Sequence, residues 1–131
     1  MASESERREF TRLGKSVTVR YKFLSATEKG PDIERVLEGS TVNLSLGGLM
    51  LLGPIPNLDW LKDILLGRMQ VGVNIVLPDA EEPVKALTRV AWAESIDEAA
   101  IVTRLGLRIQ EMSGEHRQRL SRFLMRATAI P

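Results

Sequence analysis

The chain has 131 residues, 44% hydrophobic and 27% charged, with one His, no Cys and a net charge of +1, the composition of one soluble domain able to stabilise itself without disulfides or metal. That inventory excludes thiolate zinc sites, iron–sulfur clusters, thiol nucleophiles and multi-histidine centres, so the expectation is no metal, no cofactor and no enzyme activity. No apolar run approaches the roughly 20 residues of a membrane span, and the polar start from Met1 to Glu6 lacks a signal peptide's apolar core, so the expected location is the cytoplasm.

Residues 1–6 are small and acidic and read as a disordered tail, and Arg7 to Lys15 reads as a mobile basic arm without clear periodicity. From Val17 the apolar residues Val17, Val19, Tyr21 and Phe23 alternate with polar ones, as a half-buried strand requires. Glu28 to Asp32, with Gly30 and Pro31, reads as a turn. A second strand is expected from about Glu34 to Leu44 and a third from Gly48 to Leu52, stopped by Gly53 and Pro54. Asn57 to Leu66 reads as a short helix in a loop, with Asn57 as cap, Leu58, Leu61 and Leu65 on one face, and Gly67 as stop. For Trp60, Ile64 and Leu65 in that segment, core packing is preferred over a partner surface.

Further strands are expected at about Gln70 to Leu77, Val84 to Ala93 and Ala100 to Gln110. A last helix starts at Ser113 or Gly114 and sets Leu120, Phe123, Leu124 and Ala127 at helical spacing. Six strands separated by turns predict an all-β, antiparallel barrel or sandwich with one end closed by that helix. The expected organisation is a single domain over residues 7–128, made of an arm (7–15), the β-structure (16–112) and the helix (113–128), behind the tail.

Charge is unevenly spread. Residues 1–30 carry a net +3 and residues 104–131 a net +4, which leaves −6 for the middle. If the two ends meet in space they create a positive field suited to an anionic ligand or a phosphate backbone; solvated arginines on a terminal helix are the plainer reading.

Two constellations carry chemistry. In Arg8-Glu9-Phe10-Thr11-Arg12 the arginines are four apart, one helical turn or two pleats of a strand, so either conformation puts both guanidinium groups on one side. A planar guanidinium matches phosphate oxygens bidentately and also stacks on a base. In Asn43-Leu44-Ser45-Leu46-Gly47-Gly48, Asn43 and Ser45 at a strand end should share a face, offering an amide and a hydroxyl to a base edge or a phosphate oxygen. Gly47 and Gly48 would let the backbone turn sharply and a ligand approach closely. The alternative is a capped turn in which Asn43 and Ser45 bond their own backbone.

Together these motifs resemble those of the PilZ domain, the bacterial receptor module for cyclic di-GMP. The family signature is RxxxR in an N-terminal arm followed by (D/N)xSxxG, met by Arg8 and Arg12 and then by Asn43, Ser45 and Gly48. Val90-Ala91-Trp92, Leu105-Gly106-Leu107-Arg108-Ile109 and the terminal helix agree, so the resemblance runs from about Arg7 to Ala127. It implies a six-stranded antiparallel β-barrel with a C-terminal helix that binds cyclic di-GMP at its surface and passes the signal to an effector protein. Arg8 and Arg12 would wrap over the ligand, Asn43 and Ser45 would contact a guanine from the barrel side, Gly48 would keep the backbone close, and Arg7 would be an auxiliary cation. Two departures stand out: Asn57 to Leu66 is longer and more apolar than the family's connection, and Ile109 stands where the family often has Phe, a swap of similar volume.

Elsewhere, His116 reads as a surface or capping residue, Asp79, Glu81 and Glu82 as a solvated hairpin, Trp92 as core, and Arg117, Arg119, Arg122 and Arg126 as the exposed face of the last helix. Three function classes follow: a receptor that orders its arm on the ligand, a PilZ-like adaptor acting by protein contacts alone, and a small barrel that binds nucleic acid. The low aromatic content (5%) and acidic middle count against the last.

Overall fold

The computed structural model describes residues 16–78, 80–97 and 102–128. Six strands, β1 (Val17–Leu24), β2 (Leu37–Leu44), β3 (Gly48–Pro54), β4 (Gln70–Val76), β5 (Val84–Asp97) and β6 (Val102–Glu111), close into a barrel in the order β1-β2-β3-β6-β5-β4. All six pairings are antiparallel. Closure decides between the two architectures left open by the strand pattern, and it leaves no sheet edge unpaired.

Alternation does most of the work. Val17, Val19, Tyr21 and Phe23 of β1 are all buried, and Val19, Tyr21 and Phe23 lie directly beside Ile75, Val73 and Val71 of the neighbouring strand β4. Tyr21 lies so close against Gly39 and Gly53 that a Cβ on either glycine would meet its ring. Its hydroxyl donates to the Pro54 carbonyl. Burial pushes that phenol well above its ordinary pKa, with Arg35 pulling weakly the other way.

Several boundaries differ from the sequence reading. Gly30, at φ 107°, and Pro31 start a four-residue helix, α1 (Pro31–Glu34), so β2 begins at Leu37. Gly53 and Pro54 do not stop β3: both pair with β6, Gly53 with Thr103 and Pro54 with Val102. A proline is tolerated at that strand end because it gives up only one donor there. The segment after it forms a 3-10 turn (Leu58–Trp60) followed by α2 (Leu61–Leu65), with Asn57 Oδ1 accepting from Asp59 N at 2.9 Å and Gly67, at φ 73°, ending it. Trp60 and Ile64 are buried as expected, but Leu65 is exposed together with Leu58, because the 3-10 start shifts the helical phase. Trp60 packs edge-on to Phe23 at 6.0 Å and so covers the end of the barrel where β1 finishes.

The opposite rim gathers the starts of β1, β3 and β5 and the ends of β2, β4 and β6, as the registers Thr18↔Val76, Leu44↔Leu49, Ile75↔Val84 and Leu87↔Glu111 require. There α3 (Gly114–Thr128) seats Leu120 and Leu124 in the core. Ser113 Oγ caps it by accepting from His116 N at 3.1 Å. His116 Nδ1 accepts from Lys85 N at 2.8 Å and fastens the helix to β5. Arg119 is not merely a surface cation, since it donates to the carbonyls of Glu82 and Pro83 and ties the β4–β5 hairpin to the helix.

Candidate functional site

Arg7, Arg8 and Arg12 lie outside the described residues. The other half of the sequence-predicted site, Asn43, Ser45 and Gly48, comes together on one wall of a groove of about 550 Å³, which Met50, Trp92, Gly106 and Arg108 also line. That volume is within the range of small-molecule sites.

A bulge sets Asn43. Up to Thr41, odd-numbered residues of β2 face the core; Thr41 pairs with Leu51 and Asn43 with Met50, so Val42 is the extra residue. The added residue reverses the alternation. Leu44 is therefore the buried neighbour and Asn43 turns outward, half-buried, with no hydrogen-bond partner for its amide among the described residues.

Ser45 behaves as a turn residue. Its N donates to the Gly48 carbonyl at 2.9 Å, and its Oγ donates to the same carbonyl at 3.2 Å and accepts from Gly47 N at 3.3 Å. Ile109 N, donating to the Gly47 carbonyl at 3.0 Å, clips the turn to β6. Capped-turn geometry thus holds for Ser45 but not for Asn43. Gly48 has its own reason: a Cβ there would stand 2.3 Å from the Leu107 carbonyl. The close approach that requires glycine is therefore to the neighbouring strand, where the sequence reading had put a ligand.

Trp92 was expected in the core and lies outside. Val84, Ala86, Thr88 and Val90 all face inward, and strict alternation would carry Trp92 in with them. Val90 pairs with Leu107 but Trp92 with Gly106, so Ala91 is a bulge residue and the side chain swings to the surface, 39% exposed. The two bulges put Asn43, Met50, Gly106 and Trp92 in a single register row across β2, β3, β6 and β5. Neither Trp92 nor Arg108 could be assigned to the site from sequence, because a bulge is set by pairing and leaves no local pattern. The one available signal was Gly106, a strand glycine that an aromatic on the next strand can cover.

A larger groove, about 960 Å³, crosses the other side of the barrel over Gly72, between Arg20, Lys22 and Lys85. It contains none of the motif residues, and its cations Arg20 and Lys22 are paired with Glu38 and Glu34.

The described chain begins beside the smaller groove. Val17 N donates to Thr41 Oγ1 at 3.2 Å, and Thr41 is two residues before Asn43.

The closed six-stranded antiparallel barrel with its serine-capped turn and helix-closed rim defines a class of small, helix-capped β-barrel. The PilZ domain family model matches residues 6–126, and the chain belongs to that family. Solved structures agree on the fold. A Bacillus subtilis inhibitor of motility, MotI, is 18% identical at a TM-score of 0.66, covering 94% of this chain and 51% of its own, so the present chain spans about half of that protein's length. The PilZ domain of CeSA from a cellulose-synthesizing bacterium is 18% identical at a TM-score of 0.55, covering 87% and 94%. The PilZ domain of Escherichia coli YcgR with c-di-GMP is 16% identical at a TM-score of 0.58, covering 94% and 92%. The comparison with curated proteins gives no match.

Proposed function

We propose that this protein is a receptor for cyclic di-GMP that relays the signal to a partner protein by ordering its N-terminal arm. The observation that carries the reading is the position of the Asn43 amide, without a partner among the described residues, beside the capped Ser45 turn on the rim where β1 begins, five residues after Arg12 in the sequence. Reach is not limiting: Arg12 precedes Val17 by five residues, about 17 Å of extended chain, and Asn43 is about 7 Å along β2 from Val17's partner. Two guanidinium groups closing over a bound dianion would neutralise it and fix the arm, creating a surface that the free protein lacks. Family membership supports the ligand class, and the YcgR domain with c-di-GMP is a fold relative. MotI, an inhibitor of motility, shares the fold, which fits a regulatory output.

Calorimetric titration with cyclic di-GMP, against GTP and a short single-stranded RNA, tests this. Saturable, selective binding is expected. Arg8→Ala or Arg12→Ala should each weaken it about ten- to a hundredfold through loss of charge-assisted contacts. Arg122→Ala, on the exposed face of α3, should change it little. A folded protein that ignores the nucleotide would instead be a PilZ-like adaptor working through protein contacts.

A further inference from the structure

A glycine inside a strand loosens it, so each one calls for a reason. Most find it within the barrel. A Cβ at Gly39 would run into the Leu52 carbonyl, at Gly48 into the Leu107 carbonyl, at Gly53 into the Tyr21 hydroxyl and at Gly106 into the Trp92 indole. Gly72 of β4 is the exception. A Cβ there would meet nothing nearer than Leu24 Cδ1 at 3.7 Å and the Lys22 carbonyl at 3.9 Å, ordinary contact distances, and its backbone is not in the left-handed region. The barrel has room for a side chain at 72, and nothing inside it accounts for the lack of one. That gap is the floor of the larger groove, and its walls differ in chemistry. In the register row through Gly72, Lys22 stands on one side and Leu87 on the other. Lys22 Nζ is drawn to Glu34 Oε2 at 3.0 Å, so its methylene stem lines the groove, and exposed Leu24 continues that apolar wall along β1. One row along, hydrogen-bond donors gather. The half-buried Asn74 amide has no partner among the described residues, and Lys85, directly across from it on β5, has no ion pair among them. His116 Nδ1 accepts from Lys85 N at 2.8 Å, which leaves the ring hydrogen on Nε2 as a third donor in the same groove.

We propose that the groove over Gly72 is a docking site for a partner protein, through a segment that sets an aliphatic side chain beside an Asp or Glu. The aliphatic group fills the space over Gly72 between the Lys22 stem and Leu87. The carboxylate accepts from Asn74, Lys85 and His116, about 7 Å further along β4. Glu111, the acid that lines the groove, stands on the far side of Leu87 and repels a segment docked in the reverse direction. An open groove on a barrel wall covers its occupant on one side only, so a small molecule would stay half in water, whereas a segment carried by a folded partner adds contacts beyond the groove. None of Asn43, Ser45 and Gly48 lines this surface, so the inference stands apart from the receptor reading.

The test selects peptides from a random-sequence phage library on the full chain without nucleotide, then measures the enriched peptides by fluorescence anisotropy against wild type, Gly72→Ala, Gly72→Val and Lys85→Glu. The enriched peptides should carry an aliphatic residue next to an Asp or Glu. Gly72→Val, which fills the gap, and Lys85→Glu, which reverses the charge beside Asn74, should each weaken them by about tenfold or more. Both glycine variants should nonetheless unfold at a denaturant midpoint no lower than that of wild type, because a side chain at 72 meets no clash and suits a strand. Bound peptide should move the amide resonances of Asn74, Leu87 and His116 and leave those of Asn43 and Ser45 in place. A lowered midpoint for Gly72→Ala would show that the fold itself needs this glycine and overturns the inference. So does a selection that enriches nothing, or only basic peptides, or peptides that bind Gly72→Val as tightly as wild type. Cyclic di-GMP titration of Gly72→Val reports on the receptor reading separately, and neither result decides the other.

Discussion

At the scale of single residues, the interior of the barrel depends on one phenol. Tyr21 passes over Gly39 and Gly53 to reach the Pro54 carbonyl, so three strands are fitted to one side chain. Tyr21→Phe keeps the ring but removes the donor to a part-buried carbonyl, and it should cost about 1 kcal/mol in chemical denaturation. The raised pKa adds a pH signature. Because the folded state holds the neutral phenol more tightly than the unfolded chain does, its contribution is complete below about pH 10 and declines as pH rises above that value. Tyr21→Phe should remove this part of the alkaline loss, so the stability difference between wild type and variant should shrink between about pH 9 and 12. A difference that stays constant over that interval would show that the phenol does not ionise differently on folding.

At the scale of elements, what the sequence made legible was whatever depends on local pattern. Alternation in β1, and turn residues bounding the other segments, located all six strands, and helical spacing picked out Leu120 and Leu124, both fully buried. Asn57 as cap and Gly67 as stop were legible because each acts through its own backbone and side chain. Asn57→Ala should therefore cost about 1 kcal/mol, read as a lower denaturation midpoint, even though its neighbours Trp60 and Ile64 stay buried. An unchanged midpoint would mean that core packing alone holds the turn. The misreadings share a cause. Trp92 and Leu65 were both assigned to the core by extending a regular period through a point where the structure breaks it. A bulge at Ala91 and a 3-10 start at Leu58 are decided by the pairing partner and by the fit against Phe23, and both are long-range. Half of the candidate groove was readable for the same reason: Asn43 and Ser45 lie in one short motif, while Trp92 and Arg108 reach the groove only through strand register.

At the scale of the whole molecule, topology brings together what the sequence separates. The start of β1, where the basic arm joins, and the end of β6, which leads into the arginine-bearing helix, share one rim with the Ser45 turn. Of the described cations in the two basic ends, Arg108 lines the groove and Arg117, Arg119, Arg122 and Arg126 stand on α3, whereas Arg20 and Lys22 line the larger groove on the other side of the barrel. A positive field speeds the arrival of an anion but does not by itself distinguish a dinucleotide from a nucleic acid. Ionic strength does. A ligand with two phosphates engages few cations, and charges beyond roughly 10 Å are screened at about 0.1 M salt, so affinity for cyclic di-GMP should fall by no more than about tenfold between about 50 and 200 mM salt. A nucleic acid lying across the whole rim would engage six or more cations and lose about a thousandfold or more over the same range. Shallow salt dependence with cyclic di-GMP and none measurable with RNA is the expected pair of results. Steep dependence with RNA would mean that the joined basic ends, rather than the groove they border, are the binding surface.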